Sequence, residues 1–292
     1  MKATLASVVL LGGLCLLPAM PAQAAQSYDG CKGFIDSVPA TISTQGTWCL
    51  RRDVSTSQAS GQAINITTNN VTIDCNDYKL GGLGAGQGTL TIGINALERS
   101  NITVRNCAIR GFLKGVVINN GTGGGHLVEN NRFDNNTWLG IDIGGEGSVV
   151  RGNRILDTGG TTVIGNPIKA VGIYATGNVE VQENLINGVA AASGSNGYAI
   201  GINPGHSAAG TIIGNNVKNI VADGTGWAYG ISLFGTTGRA SVENNTLVGT
   251  DAANSVAVWC PPGNLVSLAG NLAMGFAEPH FECAFDDGNI VH

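Results

Sequence analysis

Four segments between residues 128 and 217 decide the fold: Val128-Glu-Asn-Asn131-Arg-Phe133, Val150-Arg-Gly-Asn153-Arg-Ile155, Val181-Gln-Glu-Asn184-Leu-Ile186 and Ile212-Ile-Gly-Asn215-Asn-Val217. Each reads aliphatic, two residues, Asn, one residue, apolar. Working outward, the phrase recurs as Ile73-Asp-Cys-Asn76-Asp-Tyr78 and Val104-Arg-Asn-Cys107-Ala-Ile109 on one side. On the other it recurs as Val242-Glu-Asn-Asn245-Thr-Leu247 and Leu268-Ala-Gly-Asn271-Leu-Ala273. Successive copies are 31, 24, 22, 31, 31, 30 and 26 residues apart. A second phrase, a small residue and then apolar-x-apolar, precedes each copy. It reads Ala63-Ile64-Asn-Ile66, Gly93-Ile94-Asn-Ala96, Gly115-Val116-Val-Ile118, Gly140-Ile141-Asp-Ile143 and Gly172-Ile173-Tyr-Ala175. It continues as Ala199-Ile200-Gly-Ile202, Gly230-Ile231-Ser-Leu233 and Ser255-Val256-Ala-Val258.

Alternation over such short segments marks strands with one buried face. A repeat of this length holds three short strands and cannot bury its apolar face alone, so neighbouring repeats must stack on it. The expectation is an all-β parallel solenoid of about 8–10 coils. At about 4.8 Å per rung, nine coils form a rod of about 40 Å. The recurring Asn falls in a turn, where its amide can satisfy the backbone of the next coil, forming an asparagine ladder.

Composition agrees. The 292 residues include 45 Gly and 29 Asn, with 12% charged and 5% aromatic residues. Gly and Asn are poor helix formers, which excludes a helical bundle, and no Gly-x-y period is present, which excludes collagen. A net charge of -5 leaves no basic surface for nucleic acid.

Lys2, the apolar run from Ala3 to Leu17 and Ala22-Gln23-Ala24 read as a cleavable export signal over residues 1–24. Gly12, Gly13 and Pro18 interrupt a run too short for a membrane span. The expected destination is secreted or periplasmic. The rest divides into an N-terminal cap at 25–60, the solenoid at 61–275 and a C-terminal capping tail at 276–292. Cleavage leaves six cysteines, Cys31, Cys49, Cys75, Cys107, Cys260 and Cys283, with no Cys-x-x-Cys pair. An even number in an exported chain reads as disulfides rather than a zinc site.

The layout over about residues 60–275 resembles the right-handed parallel β-helix family of pectate lyase-like proteins, whose asparagine ladder lies between the second and third strands of each coil. The resemblance implies the right hand. It departs at Cys107, the one rung without Asn. The segment Cys31-Lys-Gly-Phe-Ile-Asp-Ser-Val-Pro resembles the leading segment of secreted bacterial members. Aligning the rungs puts Cys75 and Cys107 on adjacent coils and Cys260 and Cys283 on the last two, with Cys31 and Cys49 closing the cap.

The outward positions carry any chemistry. Asp74, Arg105, Glu129, Arg151 and Gln182 follow the aliphatic of successive rungs with alternating sign, which reads as a self-paired charge ladder or a binding stripe. Arg132 and Arg154 stack as like charges; Asp134 and Asp157 can relieve them, as can an acidic sugar chain, because Arg suits carboxylates.

In the resembling enzymes substrate lies along the outer face of the first strand. That face here is Asn65, Asn95, Val117, Asp142, Tyr174, Gly201, Ser232 and Ala257. Long connections enter it at 157–171, 188–198 and 219–229. They can wall a groove containing Asp142, Glu146, Lys169, Tyr174, Tyr198, His206, Trp227 and Trp259, and aromatic rings beside a few polar groups suit sugars. The expected catalytic set is Asp142, Glu146, Lys169, Tyr174 and His206. The expected substrate-binding set is Tyr198, Trp227, Trp259, Arg132 and Arg154.

Against this, the Asn-x-Asp, Asp-Asp, Gly-His-Gly and Arg-x-Lys motifs of polygalacturonases do not occur on this face. The Asp-Pro-His-Glu of alginate epimerases is also absent, and the Asp286-Asp287 pair lies in the tail. Asp142 and Glu146 are the one carboxylate pair available for acid–base hydrolysis. Calcium is conceivable, but no carboxylate cluster is present, so no metal or cofactor is expected. Two readings stand side by side. One is a lyase or hydrolase acting on an acidic polysaccharide; the other is a non-catalytic structural or adhesive surface protein. In either case a glycan partner and a monomer that does not span the membrane are expected.

Overall fold

The computed structural model describes residues 28–291 apart from 120–122, 166–168, 206–209, 235–238, 263–265, 282, 284 and 288–289. The expected export signal, 1–24, lies outside the described residues. The chain winds through three parallel sheets of 10, 11 and 10 strands, each strand paired with its equivalent one coil away. Sheet 1 runs from Ala40–Ile42 to Glu278–Phe281, sheet 2 from Gly33–Phe34 to Phe285–Asp287, and sheet 3 from Val54–Ser55 to Ile290–Val291. The stretches read as cap and tail thus add strands to all three sheets.

The turn between sheets 2 and 3 explains the Asn. In seven coils the residue before the ladder position is left-handed: Asn106, Asn130, Gly152, Glu183, Gly214, Asn244 and Gly270, with φ from 52 to 67°. Asn and Gly enter that region at least cost. The next residue then turns its amide inward. Asn131, Asn153, Asn184, Asn215, Asn245 and Asn271 form a column in which each Nδ2 donates to the Oδ1 of the next at 2.9–3.0 Å. Each Oδ1 also accepts the preceding ladder residue's backbone N–H at 2.9–3.0 Å. Every asparagine of the column is at most 5% exposed. A buried turn therefore keeps its polar groups paired.

The column begins at Asn131, two coils after Asn76, the first Asn rung of the sequence phrase. Ile73 pairs with Val104 and Leu80 with Ile109, so the first turn holds two extra residues. Leu80, not Tyr78, takes the inward place, and Asn76 donates its amide to the Leu50 carbonyl at 3.1 Å. At Cys107 the backbone N–H still donates to Asn131 Oδ1 at 3.0 Å, and the side chain joins Cys75. The three disulfides are Cys31–Cys49, Cys75–Cys107 and Cys260–Cys283, with Cα separations of 5.8, 4.7 and 5.0 Å.

The small residue of sheet 1 has its own cause. Pairing skips it: Val171 faces Ile200 and Ile173 faces Ile202, leaving Gly172 between them. A Cβ on Gly115, Gly140, Gly172 or Gly201 would stand 2.5–2.6 Å from the carbonyl oxygen of the equivalent glycine one coil on. Backbone therefore fills the space of a side chain, and the row ends at Ala257, whose carbonyl lies 2.7 Å from a Cβ on Gly230. This corrects two copies of the phrase. The small residues there are Gly201 and Ala257 rather than Ala199 and Ser255, so Asn203 and Trp259 take the outward places next to Tyr174 and Ser232.

Inside, aliphatic rows from the three sheets form one continuous core, with Phe112 and Phe133 as its largest buried rings. On sheet 2 the alternating charges do pair: Arg105 reaches Asp74 at 2.8 Å and Arg151 reaches Glu129 at 2.8 Å. Both arginines are half exposed, so each pair adds at most about 1 kcal/mol.

Candidate functional site in the groove of sheet 1

Strand register sets two outward rows on sheet 1. One runs Val117, Asp142, Tyr174, Asn203, and further on Ser232 and Trp259. The other runs Lys114, Leu139, Val171, Ile200, Tyr229 and Val256. Lys169 stands beside Tyr198 at the strand entrances. Two adjoining cavities open above these rows, sharing Lys169, Ile200 and Phe234. The first, about 320 Å³, lies between Lys114, Trp138, Asp142 and Tyr174. The second, about 280 Å³, is bordered by Tyr198, Tyr229, Ser232 and Trp259.

The second cavity is edged by a file of rings. Tyr229 stacks with Tyr198 at 6.3 Å and with Trp227 at 6.4 Å, and meets Trp259 at 6.2 Å. Trp259 stacks in turn on Phe234 at 5.5 Å, and Lys169 Nζ sits 4.8 Å from the Phe234 ring centre. Burial pushes the Tyr229 hydroxyl up to about 12, with the neighbouring Tyr198 adding to the shift. Burial and then the charge of Asp142 raise Tyr174. Both phenols therefore keep their protons near neutrality and act as donors.

Asp142 is already engaged. Lys114 Nζ donates to its Oδ2 at 2.7 Å and Asn119 Nδ2 to its Oδ1 at 2.8 Å. Lys114 also lies 4.5 Å from the Trp138 ring centre. Asn119 is held in turn by the Thr176 hydroxyl, which donates to its Oδ1 at 3.2 Å. Asp142 is thus 5% exposed with its charge balanced, and no second carboxylate lines either cavity among the described residues.

Of the residues singled out from sequence, the groove gathers Asp142, Lys169, Tyr174, Tyr198 and Trp259, with Trp227 stacked at its border. Glu146 does not join them: it lies exposed in the turn after strand Leu139–Gly144, its carbonyl accepting from Gly125 N at 2.8 Å. Arg132 and Arg154 face each other on sheet 3, away from the groove, and Arg132 reaches Asp134 at 3.1 Å. His206 lies outside the described residues. The groove residues missed from sequence are Lys114, Trp138, Leu139, Val171, Ile200, Asn203, Tyr229 and Phe234. Lys114, Leu139, Val171, Ile200 and Tyr229 share one signal, an outward position immediately ahead of the glycine, as in Leu139-Gly140 and Ile200-Gly201.

A further depression of about 330 Å³ lies between Thr162–Gly165 and Ser193–Ser195, with no ionisable or aromatic side chain in its lining. No group of three or more His, Cys, Asp or Glu able to hold a metal ion occurs among the described residues. No described helix is long and apolar enough to cross a membrane.

Comparison with solved structures finds several similar chains. The Dettilon tailspike protein is 16% identical, covering 85% of this chain and 60% of its own, with a TM-score of 0.41. The tailspike of E. coli bacteriophage HK620, in complex with a hexasaccharide, is 12% identical, covering 88% and 53%, with a TM-score of 0.45. Endopolygalacturonase I from Stereum purpureum, complexed with galacturonate, is 15% identical, covering 86% and 70%, with a TM-score of 0.40. The chain therefore spans 53–60% of the length of these two tailspikes. No curated protein matches the chain. The family described as "Right handed beta helix region" matches residues 62–247, more than half of the chain. Together with the three stacked parallel sheets, that match places the chain in the right-handed β-helix family.

Proposed function

We propose that this protein binds a polysaccharide along the groove of sheet 1, and that the file of rings from Trp227 through Tyr229 and Trp259 to Phe234 is its platform. That file is the observation carrying the proposal. Four aromatic side chains from two adjacent coils meet at 5.5–6.4 Å on an outer face, where a β-sheet ordinarily presents polar side chains. Flat rings beside Lys169 and Ser232 offer apolar faces to sugar C–H groups and donors to their oxygens. Lys169 adds a positive charge that favours an acidic chain.

The same geometry favours binding over hydrolysis, because Asp142 is neutralised by Lys114 and a second groove carboxylate is missing among the described residues. Three disulfides suit an oxidising compartment, and with the leader read at 1–24 they support export to the periplasm or beyond.

Calorimetric titration with oligogalacturonate, oligoalginate, hyaluronan fragments and a neutral β-glucan tests the proposal, with absorbance at about 235 nm watched for lyase turnover. At least one acidic glycan is expected to bind. Tyr229→Ala and Trp259→Ala should each weaken it about tenfold, or about 1.4 kcal/mol, while Arg132→Ala on sheet 3 leaves it unchanged. Absence of binding to every glycan, or full affinity in Trp259→Ala, would defeat this reading.

A further inference from the structure

The first cavity differs chemically from the ring file beside it. On three successive coils the outward position carries Leu139, Val171 and Ile200, which form an apolar cluster separate from the interior core. They are only 3–5% exposed although they lie outside the solenoid. Trp138 and Tyr174 pack against them, and Phe234 completes the wall. A sugar ring set on this floor would bury hydroxyls against aliphatic side chains, which costs free energy for each one left unpaired. Asn203 gives little help, since its amide already donates to the Ser232 carbonyl at 2.9 Å. The floor calls for an apolar body.

The rim calls for a negative charge. Two ammonium groups and one carboxylate line the cavity, and Lys114 is matched to Asp142 at 2.7 Å. Lys169 forms no ion pair among the described residues, and its Nζ lies 4.8 Å from the centre of the Phe234 ring. The cavity therefore carries one uncompensated positive charge in a chain whose net charge is -5. At about 320 Å³ it lies at the small end of ligand pockets, sized for one or two rings.

We propose that this cavity is a binding site for a small aromatic carboxylate, its ring seated on Leu139, Val171 and Ile200 between the aromatic walls and its carboxylate taken by Lys169. The site does not rest on the glycan reading, although the two cavities share Lys169 and Phe234 at their common border.

Titrating the full chain with 2-naphthoate and with its neutral isostere 2-naphthylmethanol tests the site. The acid should saturate in the micromolar to millimolar range, and the alcohol should bind at least about tenfold more weakly, the scale of one charge-assisted contact. Lys169→Met should bring the acid down to the level of the alcohol without moving the thermal midpoint, and Ile200→Asn should weaken both. Naphthoate and the glycans are titrated separately into the same protein, so a failure of glycan binding and a failure of this site are separable. Equal affinity for acid and alcohol, an unaffected Lys169→Met variant, or no saturation with the acid would overturn the proposal. So would octanoate binding more tightly than naphthoate.

Discussion

Glu183 stands where the other ladder turns place Asn or Gly, at φ 53° and exposed. Any residue with a Cβ pays about 1–2 kcal/mol in that region, part of which glycine gives back as unfolded-state entropy. Glu183→Gly should therefore stabilise the protein by about 1 kcal/mol, read as a higher urea midpoint at unchanged slope. A second residue sets the acid limit. His126 is 3% exposed, its Nδ1 accepts the Ile102 N–H at 3.2 Å, and burial lowers its pKa to about 4. The folded chain refuses a proton that the unfolded chain accepts near its ordinary value of 6.5. Stability is thus full above 6.5, falls as pH drops from 6.5 to about 4, and loses about 3 kcal/mol over that window. Denaturation midpoints measured across it should show a one-proton slope that His126→Gln, which keeps an acceptor, removes.

At the scale of the strand, the glycines of sheet 1 fix how closely coils approach. A Cβ at Gly140 would stand 2.6 Å from Gly172 O and 3.0 Å from Ile155 Cγ2. Gly140→Ala should cost about 1–3 kcal/mol by overpacking, while Gly88→Ala, which meets nothing within 4 Å, should fall within about 0.5 kcal/mol of the parent. Chemical denaturation of the two variants checks the contrast. The same glycines show where reading the sequence succeeds and where it stops. The six column asparagines and the pairing of the cysteines were legible, because each rung repeats one local phrase. Ile200-Gly201-Ile202 was not, because strict alternation puts both isoleucines on one face, whereas the pairing skips Gly201, so that Ile200 faces outward while Ile202 joins the core. The choice is made by the Gly230 carbonyl, 2.5 Å from where a Gly201 Cβ would stand, and that atom belongs to another coil. Reading Ile200 as interior removed it from the groove and put Gly201 where Asn203 stands. Trp138 and Phe234 escaped notice for a related reason: they reach the site from connections that carry no period.

Across the whole molecule, each coil touches only its neighbours, so stability is lost first at the ends. The Cys260–Cys283 bond closes a sequence separation of 23 residues, worth about 3 kcal/mol in the chain-entropy picture. In the double variant Cys260→Ser, Cys283→Ser, amide exchange should accelerate in strands Val266–Ala269 and Glu278–Phe281. Protection in Lys169–Thr176 and Leu185–Ala190 should stay at the parent level. Uniform loss of protection would show instead that the rod unfolds as one unit. The nearest-neighbour rule also has a consequence in time. Disulfide separations of 18, 32 and 23 residues are no longer than about one coil, and column asparagines are 22 to 31 residues apart. A chain delivered amino end first therefore never waits for a distant segment: each winding can be laid on the last and covalently locked before the remainder arrives.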